Sequence, residues 1–517
     1  MVRRATLLAA AIAIGLTPTA NAATLVEAIV EAYRSNPALQ SQRYDLKALD
    51  EAYVRAYATV RPHGDLQASA NYVDSRAGDA TQALRLAADP LVGRRLKSNK
   101  DDIRLIIEQL LYSGGQAAAS IDAASFRVRS GREELRAVEG DIILQVITAY
   151  EDVRRDEASL AVWEKNLSVL KTQFDMTEAR QVAGEVTRTD VEQANAQLEA
   201  AQAQLTNAKA QLEISRAAYL AVVGDVPAAL EDEPALPLVP QSLETALSIA
   251  SDNNPELLQA RYNERESASQ ASQAKSANSV VVSARTTYGL TGEVSPYDIR
   301  DQDRDFTFGI TLTKPLFSGG ANRSGYRAAL DRNAADRLRI DDTQRRTTQA
   351  IASAWSQLRA AKAGLVTQQR QLKSAEIAAE GMREEFRYGQ RSTLDVLVAE
   401  QNLTQARLAI ISSQRDIYVA EATLLRQVGY LEARTLLVNL APYDPSENLR
   451  AVKSRGSVPW EGIVLSADRS GLDHAKPLPI HTPDGGPLVP AMAQPDLTTN
   501  PAVPDADISS DVPWNGS

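Results

Sequence analysis

The sequence predicts a mainly α-helical protein with a smaller β component, built from two copies of one unit. In each unit a pair of long strands leads into a much longer coiled-coil hairpin. Three features carry this prediction: an internal repeat at a nearly constant offset, two stretches per copy where apolar and polar residues alternate, and a seven-residue apolar spacing in the returning helix of each hairpin.

The repeat is visible along most of the 517 residues. Thr24–Leu39 (TLVEAIVEAYRSNPAL) matches Ser242–Leu257 (SLETALSIASDNNPEL), an offset of 218 from 24 to 242. LLYSGG ending at Gly115 matches PLFSGG ending at Gly320, an offset of 205 that Gly184/Gly389, Asp190/Asp395 and Gly224/Gly429 also keep. The difference of 13 residues is one net insertion between about Tyr72 and Ile103. The chain divides accordingly into a signal peptide (1–22), a first repeat (23–225), a linker (226–241), a second repeat (242–430) and a Pro-rich, largely disordered tail (431–517).

The N-terminus has Arg3 and Arg4, an apolar run from Ala5 to Leu16, and Ala20-Asn21-Ala22 as a small-x-small cleavage site. This is the pattern of a secretory signal, with maturation near Ala23. Each repeat then opens with a short helix and a second helix begun by Asn-Pro (Pro37, Pro255), proline being favoured in a first helical turn.

Alternation follows. Leu66, Ala68, Ala70 and Tyr72 oppose Gln67, Ser69 and Asn71; Ile103, Leu105 and Ile107 oppose Arg104, Ile106 and Glu108. In the second copy Val282, Ala284, Thr286, Tyr288 and Leu290 form one face, and Phe306, Phe308, Ile310 and Leu312 another. Polar loops (Asp74–Lys100, Thr291–Asp305) separate the members of each pair. Four strands of about ten residues have the length a tilted strand needs to cross a bilayer, and Tyr72, Tyr112, Tyr288 and Phe317 stand near their ends as an interfacial girdle would. Four strands cannot close a barrel that needs at least eight, so several copies must share one.

Past each Ser-Gly-Gly the pattern is helical to about Arg180 or Phe386, roughly 100 Å at 1.5 Å per residue. The return helix repeats Val191, Leu198, Leu205, Leu212 and Tyr219 beside Ala194, Ala201, Ala208, Ser215 and Val222; its counterpart has Val396, Leu403, Ile410, Ile417 and Leu424. A strict heptad implies a left-handed supercoil with the outgoing helix, and the alanine seam lets the axes come close. The return helix spans only about 50 Å, so the Asn-Pro helix is expected to stack on its end and cover the remainder.

Composition narrows the chemistry. With no cysteine, disulfides, thiol nucleophiles, Cys-ligated metals and lipoprotein-type acylation are excluded. The three histidines, His63, His474 and His481, form no catalytic cluster, so no enzymatic activity and no cofactor is expected. A net charge of -10, about -12 after signal removal, argues against nucleic acid as a partner. The Gly114-Gly115 and Gly319-Gly320 pairs lack the spacing and lysine of a phosphate loop and instead suit a sharp strand-to-helix junction. Trp163 and Trp355 sit mid-helix and carry no site. From the residues alone, the rival reading is a soluble periplasmic coiled-coil adaptor or scaffold with a small β-domain.

The ordered set of a signal peptide, two repeats, PLFSGG at a strand-to-helix step (with Pro315) and YGQRSTLDVLVAEQNLTQA at a hairpin tip resembles the TolC family of outer-membrane efflux and secretion channels, over about residues 24–430. The resemblance implies a homotrimer whose 12-stranded outer-membrane β-barrel, four strands per chain, continues into a periplasmic α-helical tunnel closed by the hairpin tips. It implies a passive exit duct for type I protein secretion, multidrug efflux or both. Its partners would be outer-membrane lipid, a periplasmic adaptor (membrane fusion protein) docking near Gly184 and Gly389, and an inner-membrane ABC or RND transporter.

Locally, Thr187 with Asp190 and Ser392 with Asp395 read as capping-box-like turns. The resemblance adds that Asp395 from three copies forms an acidic ring at the aperture, and that Arg391 bonds to the neighbouring tip at Thr189 and Asp190 as a latch. The chain departs from the family at three positions. Val398 replaces a second acid, Phe386 a tyrosine seen in some members, and Leu110 the proline found at Pro315.

Overall fold

The computed structural model describes residues 24–89, 95–227, 230–294, 300, 302–436 and 442–479. The signal-peptide segment and the last part of the tail lie outside these residues. The first repeat comprises α1 (Leu25–Ser35), α2 (Pro37–Ala58), β1 (His63–Arg76), α3 (Asp79–Ala88), β2 (Arg95–Tyr112), α4 (Gln116–Val182) and α5 (Arg188–Val223). The second comprises α6 (Leu243–Asn253), α7 (Pro255–Ser276), β3 (Val281–Glu293), β4 (Asp303–Thr313), α8 (Ala321–Arg387) and α9 (Thr393–Val428). Three short helices follow: α10 (Ala433–Leu436), α11 (Glu447–Val452) and α12 (Glu461–Ser470).

The outgoing helices α4 and α8 are each 67 residues long and the returning helices α5 and α9 each 36. The remaining length is covered as expected, and an asparagine in each repeat links the two helix ends. Asn36 accepts from Ala38 N–H (3.0 Å) to cap α2 and donates its amide to the Val222 carbonyl (3.1 Å) at the end of α5. Asn254 repeats this, accepting from Leu257 N–H (2.9 Å) and donating to the Gln427 carbonyl (2.7 Å) near the end of α9. Each Asn therefore satisfies orphan groups on two helix ends at once, with Gly224 and Gly429 in the left-handed region (φ 92° and 90°) making the break between them. At Gly429 a Cβ would lie 2.4 Å from the Asn253 carbonyl oxygen, so only glycine allows that approach.

The heptad seam buries Ala194, Ala201, Leu205, Leu212, Ser215 and Tyr219 on α5. α9 buries a wider set, including Leu397, Ala406, Tyr418, Ala422 and Leu425 beside Val396, Leu403 and Leu424. The reason is position: α9 packs on both α8 and α4, so α4 and α9 are interior while α5 and α8 form the protomer's edges. The main core lies near the middle of the trunk, where Ile143, Ile147 and Tyr150 of α4 meet Leu25, Ile29 and Tyr33 of α1 and Tyr418 and Leu425 of α9. Among the described residues no helix is long and apolar enough to cross a membrane.

The four strands make one antiparallel sheet in the order β1-β2-β3-β4. Its register aligns Leu66, Leu105, Tyr288 and Phe306 across all four strands, so the alternating residues expected from the sequence fall on one continuous face. That face is uncovered: Leu66, Phe306, Phe308, Ile310 and Leu312 are exposed by 61–73%. β1 and β4 are the edge strands, each with one side left unpaired among the described residues.

Two expectations are corrected here. The strands are 14, 18, 13 and 11 residues long, and the stretch Asp74–Lys100 expected as a polar loop holds the ends of β1 and β2 and all of α3. The added strand residues pair Asp74 with Lys97 and Arg76 with Arg95, and polar extensions of this kind leave no apolar alternation to read.

The tail, expected to be largely disordered from 431, is packed through residue 479 wherever it is described. Asn448 bonds Asp50 (2.9 Å) and Glu461 pairs with Arg61 (2.8 Å), both at α2 or just beyond it. Asp468, fully buried, accepts from Ser113 N–H (2.6 Å), Ser113 Oγ (2.8 Å) and Gly115 N–H (3.2 Å) on one oxygen and Ala118 N–H (3.0 Å) on the other. A carboxylate seated on the N-terminus of a 67-residue helix gains both charge-assisted bonds and the helix dipole. Its partners lie some 350 residues away in sequence, beyond the reach of a compositional reading.

Candidate functional site

The sequence-derived site residues fall in two places at opposite ends of α4 and α8. At the tips, Gly184 and Gly389 take φ 79° and 74° and end the outgoing helices; a side chain at either would meet open space. Both returning helices start with the capping box read from the sequence. Thr187 Oγ1 accepts from Asp190 N–H (3.3 Å) while Asp190 accepts from Thr187 N–H (2.8 Å) and its hydroxyl (2.7 Å). Ser392 and Asp395 do the same at 3.2, 3.1 and 2.8 Å. The serine or threonine hydroxyl and then the backbone N–H hold both carboxyls below their ordinary pKa, with Arg391 adding to the effect at Asp395. The two acids therefore stand charged at the tips, each still partly accessible.

Arg391 does not reach Thr189 or Asp190 within the chain; its Nε instead bonds Glu385 at 2.6 Å, across its own turn. The equivalent turn of the first hairpin carries the opposite polarity. Arg180, at the position matching Glu385, bonds Glu185 at 2.9 Å. Thr189 is exposed beside Asp190.

What joins the two tips is Arg180. Its guanidinium stacks on the Phe386 ring at 4.7 Å and donates to the Phe386 carbonyl at 3.4 Å, and Phe386 is buried. Farther up, Leu397 packs on Leu170 and Ala201, and Thr404 Oγ1 donates to Asn166 Oδ1 in a buried 3.0 Å bond. Arg383 ties Glu400 and, at 2.6 Å, Glu380. Sequence reading singled out Phe386 but missed Arg180 and Glu385. The available signal was the reversal of charge between equivalent turns of the two repeats.

At the strand-to-helix step, Gly114, Gly115, Gly319 and Gly320 all take positive φ (66°, 89°, 60° and 88°), a reversal that residues with a Cβ resist. The two junctions differ in cover. Gly115 lies against the backbone of Leu472, whereas Gly319 and Gly320 face open space and Pro315, Leu316 and Phe317 are exposed. In place of proline, Leu110 packs with Val60, Ile121 and Val464. Among the described residues, no group of His, Cys, Asp or Glu is arranged to hold a metal ion.

Comparison with known proteins matches this geometry. Residues 28–225 and 246–430 match the family described as outer membrane efflux protein. The chain is 31% identical over 450 residues to outer membrane efflux protein BepC of Brucella suis biovar 1, covering 85% of this chain and 92% of that protein. It is 26% identical over 315 residues to alkaline protease secretion protein AprF of Pseudomonas aeruginosa, covering 59% and 64%. The fold is shared with the crystal structure of the CmeC outer membrane channel of Campylobacter jejuni, with a TM-score of 0.70, 15% identity, and 84% and 90% coverage. With both repeats matched and a relative similar along nearly its whole length, the chain belongs to the outer membrane efflux protein family, the TolC family of outer-membrane channels.

Proposed function

We propose that three copies of this outer-membrane channel close one 12-stranded barrel, the β4 edge of each copy pairing with the β1 edge of the next. The exposed apolar face that continues across the four strands carries this reading. Such a face, on strands long enough to cross a bilayer, suits lipid and favours the channel over the soluble adaptor. The edge helices α5 and α8 leave Ile214, Val366 and Ile377 exposed, and these suit contact with neighbouring copies in a closed tunnel.

In this reading the trunk extends through the periplasm and ends at the tips, where three copies of Asp395 line the aperture and Arg391 exchanges Glu385 for Thr189 and Asp190 of the next copy. The duct performs no chemistry and binds no cofactor. A periplasmic adaptor meets the tips at Gly184 and Gly389 and an inner-membrane ABC or RND transporter supplies the energy. The names of the relatives, efflux for one and protease secretion for the other, support export of small molecules, of protein, or of both.

Planar-bilayer conductance of the detergent-purified mature protein tests the proposal. Discrete, small steps are expected. Protein that stays soluble without detergent and produces no steps would sink the duct.

A further inference from the structure

From the placement of the tail we infer that α12 is a membrane-interface anchor, lying at the boundary between headgroups and acyl chains of the periplasmic leaflet, directly beneath the apolar face of the sheet. The inference rests on the outer-membrane reading above.

The register decides which side of the sheet α12 occupies. Gln109 pairs with Ala284, which pairs with Ile310; Tyr112, after the irregularity at Leu110, pairs with Val282, which pairs with Leu312. Gln109 and Tyr112 therefore belong to the apolar face, at the end where the strands enter the trunk. Both ends of α12 touch these two residues. Trp460 Nε1 donates to Gln109 Oε1 (3.4 Å), and Gly471 is pressed so close to Tyr112 that a Cβ there would lie 2.1 Å from its hydroxyl.

α12 is held firmly in that place. Val464 packs with Val60 and Ile121, Glu461 pairs with Arg61, and Asp468 caps α4. With these groups turned inward, Trp460, Ile463 and Ala467, spaced i, i+3, i+7, are left exposed, Trp460 by 47% and Ile463 by 71%. A tryptophan and an isoleucine held outward at the rim of a lipid-facing surface suit the interfacial zone, where an amphipathic ring sits at headgroup level. The neighbouring cations do not select an anionic headgroup, because Arg469 and Arg455 are already paired with Asp122 and Glu51, each at 3.1 Å. Apolar burial, continuous with that of the sheet, is the interaction. In a chain without cysteine, and so without an acyl anchor, it adds a second hold on the bilayer at the point where barrel becomes trunk.

The absence of cysteine also makes the test clean. Single substitutions Ile463→Cys, Phe308→Cys (apolar face of β4) and Tyr388→Cys (tip) are each nitroxide-labelled in the full mature chain reconstituted in phosphatidylethanolamine/phosphatidylglycerol vesicles. Relative accessibility to oxygen and to a water-soluble nickel chelate is then read by power saturation. An oxygen-to-nickel ratio at Ile463 several-fold above that at Tyr388, and below that at Phe308, is expected. A lipid-like Phe308 with a water-like Ile463 overturns the anchor alone; a water-like Phe308 overturns the outer-membrane reading and the anchor with it.

Discussion

Arg180 and Phe386, 206 residues apart, are stacked ring against guanidinium at 4.7 Å, and this contact joins the tips of the two hairpins within one chain. A contact of this type at a partly exposed site contributes about 1 kcal/mol, or roughly a fivefold change in an equilibrium. Arg180→Ala is therefore expected to raise the occupancy of larger-conductance states in single-channel recordings about fivefold. Phe386→Ala, which also empties a buried site, is expected to do more. Recordings identical to wild type would reduce the pair to packing without influence on the aperture.

Asp395 caps α9, and in the proposed aperture it also supplies a charge, two roles that can be separated. Ser392→Ala removes the reciprocal hydroxyl and is expected to cost about 1 kcal/mol of helix stability while leaving ion selectivity unchanged. Asp395→Asn is expected to lower cation selectivity measured from reversal potentials in a salt gradient. Equal selectivity in the two variants would leave Asp395 as a helix cap only.

The stacked helices depend on Asn36 and Asn254. Replacing either with alanine removes a cap and leaves a carbonyl without its donor, for a loss of about 1–2 kcal/mol. Thermal unfolding followed by circular dichroism should show a lower midpoint for Asn36→Ala and for Asn254→Ala, by similar amounts because the two geometries match.

Asp468 holds the tail on the junction through four hydrogen bonds that its carboxylate accepts. Asp468→Ala leaves Ser113, Gly115 and Ala118 N–H groups without their acceptor and removes a buried anion from a helix N-terminus, a loss of roughly 3 kcal/mol. Limited proteolysis should then cut the segment after Tyr443 much faster than in wild type, with the trunk intact. Unchanged protection would show that Val464 and the Arg61–Glu461 pair hold the segment without the cap.

Glu151 is buried in α4, with Arg154 3.5 Å away; burial pushes its pKa up to about 6 from 4.5, against the opposing pull of Arg154 and Arg415. A carboxyl whose folded pKa is raised binds its proton more tightly in the native state. Its contribution to stability is therefore greatest below pH 4.5, declines as pH rises toward 6, and is flat above, a span of roughly 1–2 kcal/mol. The stability difference between Glu151→Gln and wild type, measured by denaturant titration across pH 4 to 7, should grow in favour of the variant through that window. A difference independent of pH would mean that the carboxyl titrates normally.

Features written in short-range pattern were legible. The two repeats, the strand faces, the heptad of α5 and the capping boxes at Thr187 and Ser392 each depend on residues within a few positions of one another, where the backbone period dictates which side chains share a face. The glycine pairs were legible for the same reason, since a positive φ is a local requirement. The side-chain connections at the tips were not legible: Arg391 bonds Glu385 within its own turn, and Arg180 bridges the tips with only a reversal of charge between the repeats to mark it.

By itself, then, the sequence determined a duplicated unit with membrane-length strands and a coiled-coil trunk, because periodicity and turn chemistry are properties of neighbouring residues. Only the tertiary structure decided that the Asn36 and Asn254 side chains join the stacked helices, that α9 lies inside and α5 at an edge, and that a Pro-rich tail straps the junction through Asp468. Those outcomes rest on single polar groups finding partners hundreds of residues away, and such a pairing leaves no period to read until the chain has brought its two ends together.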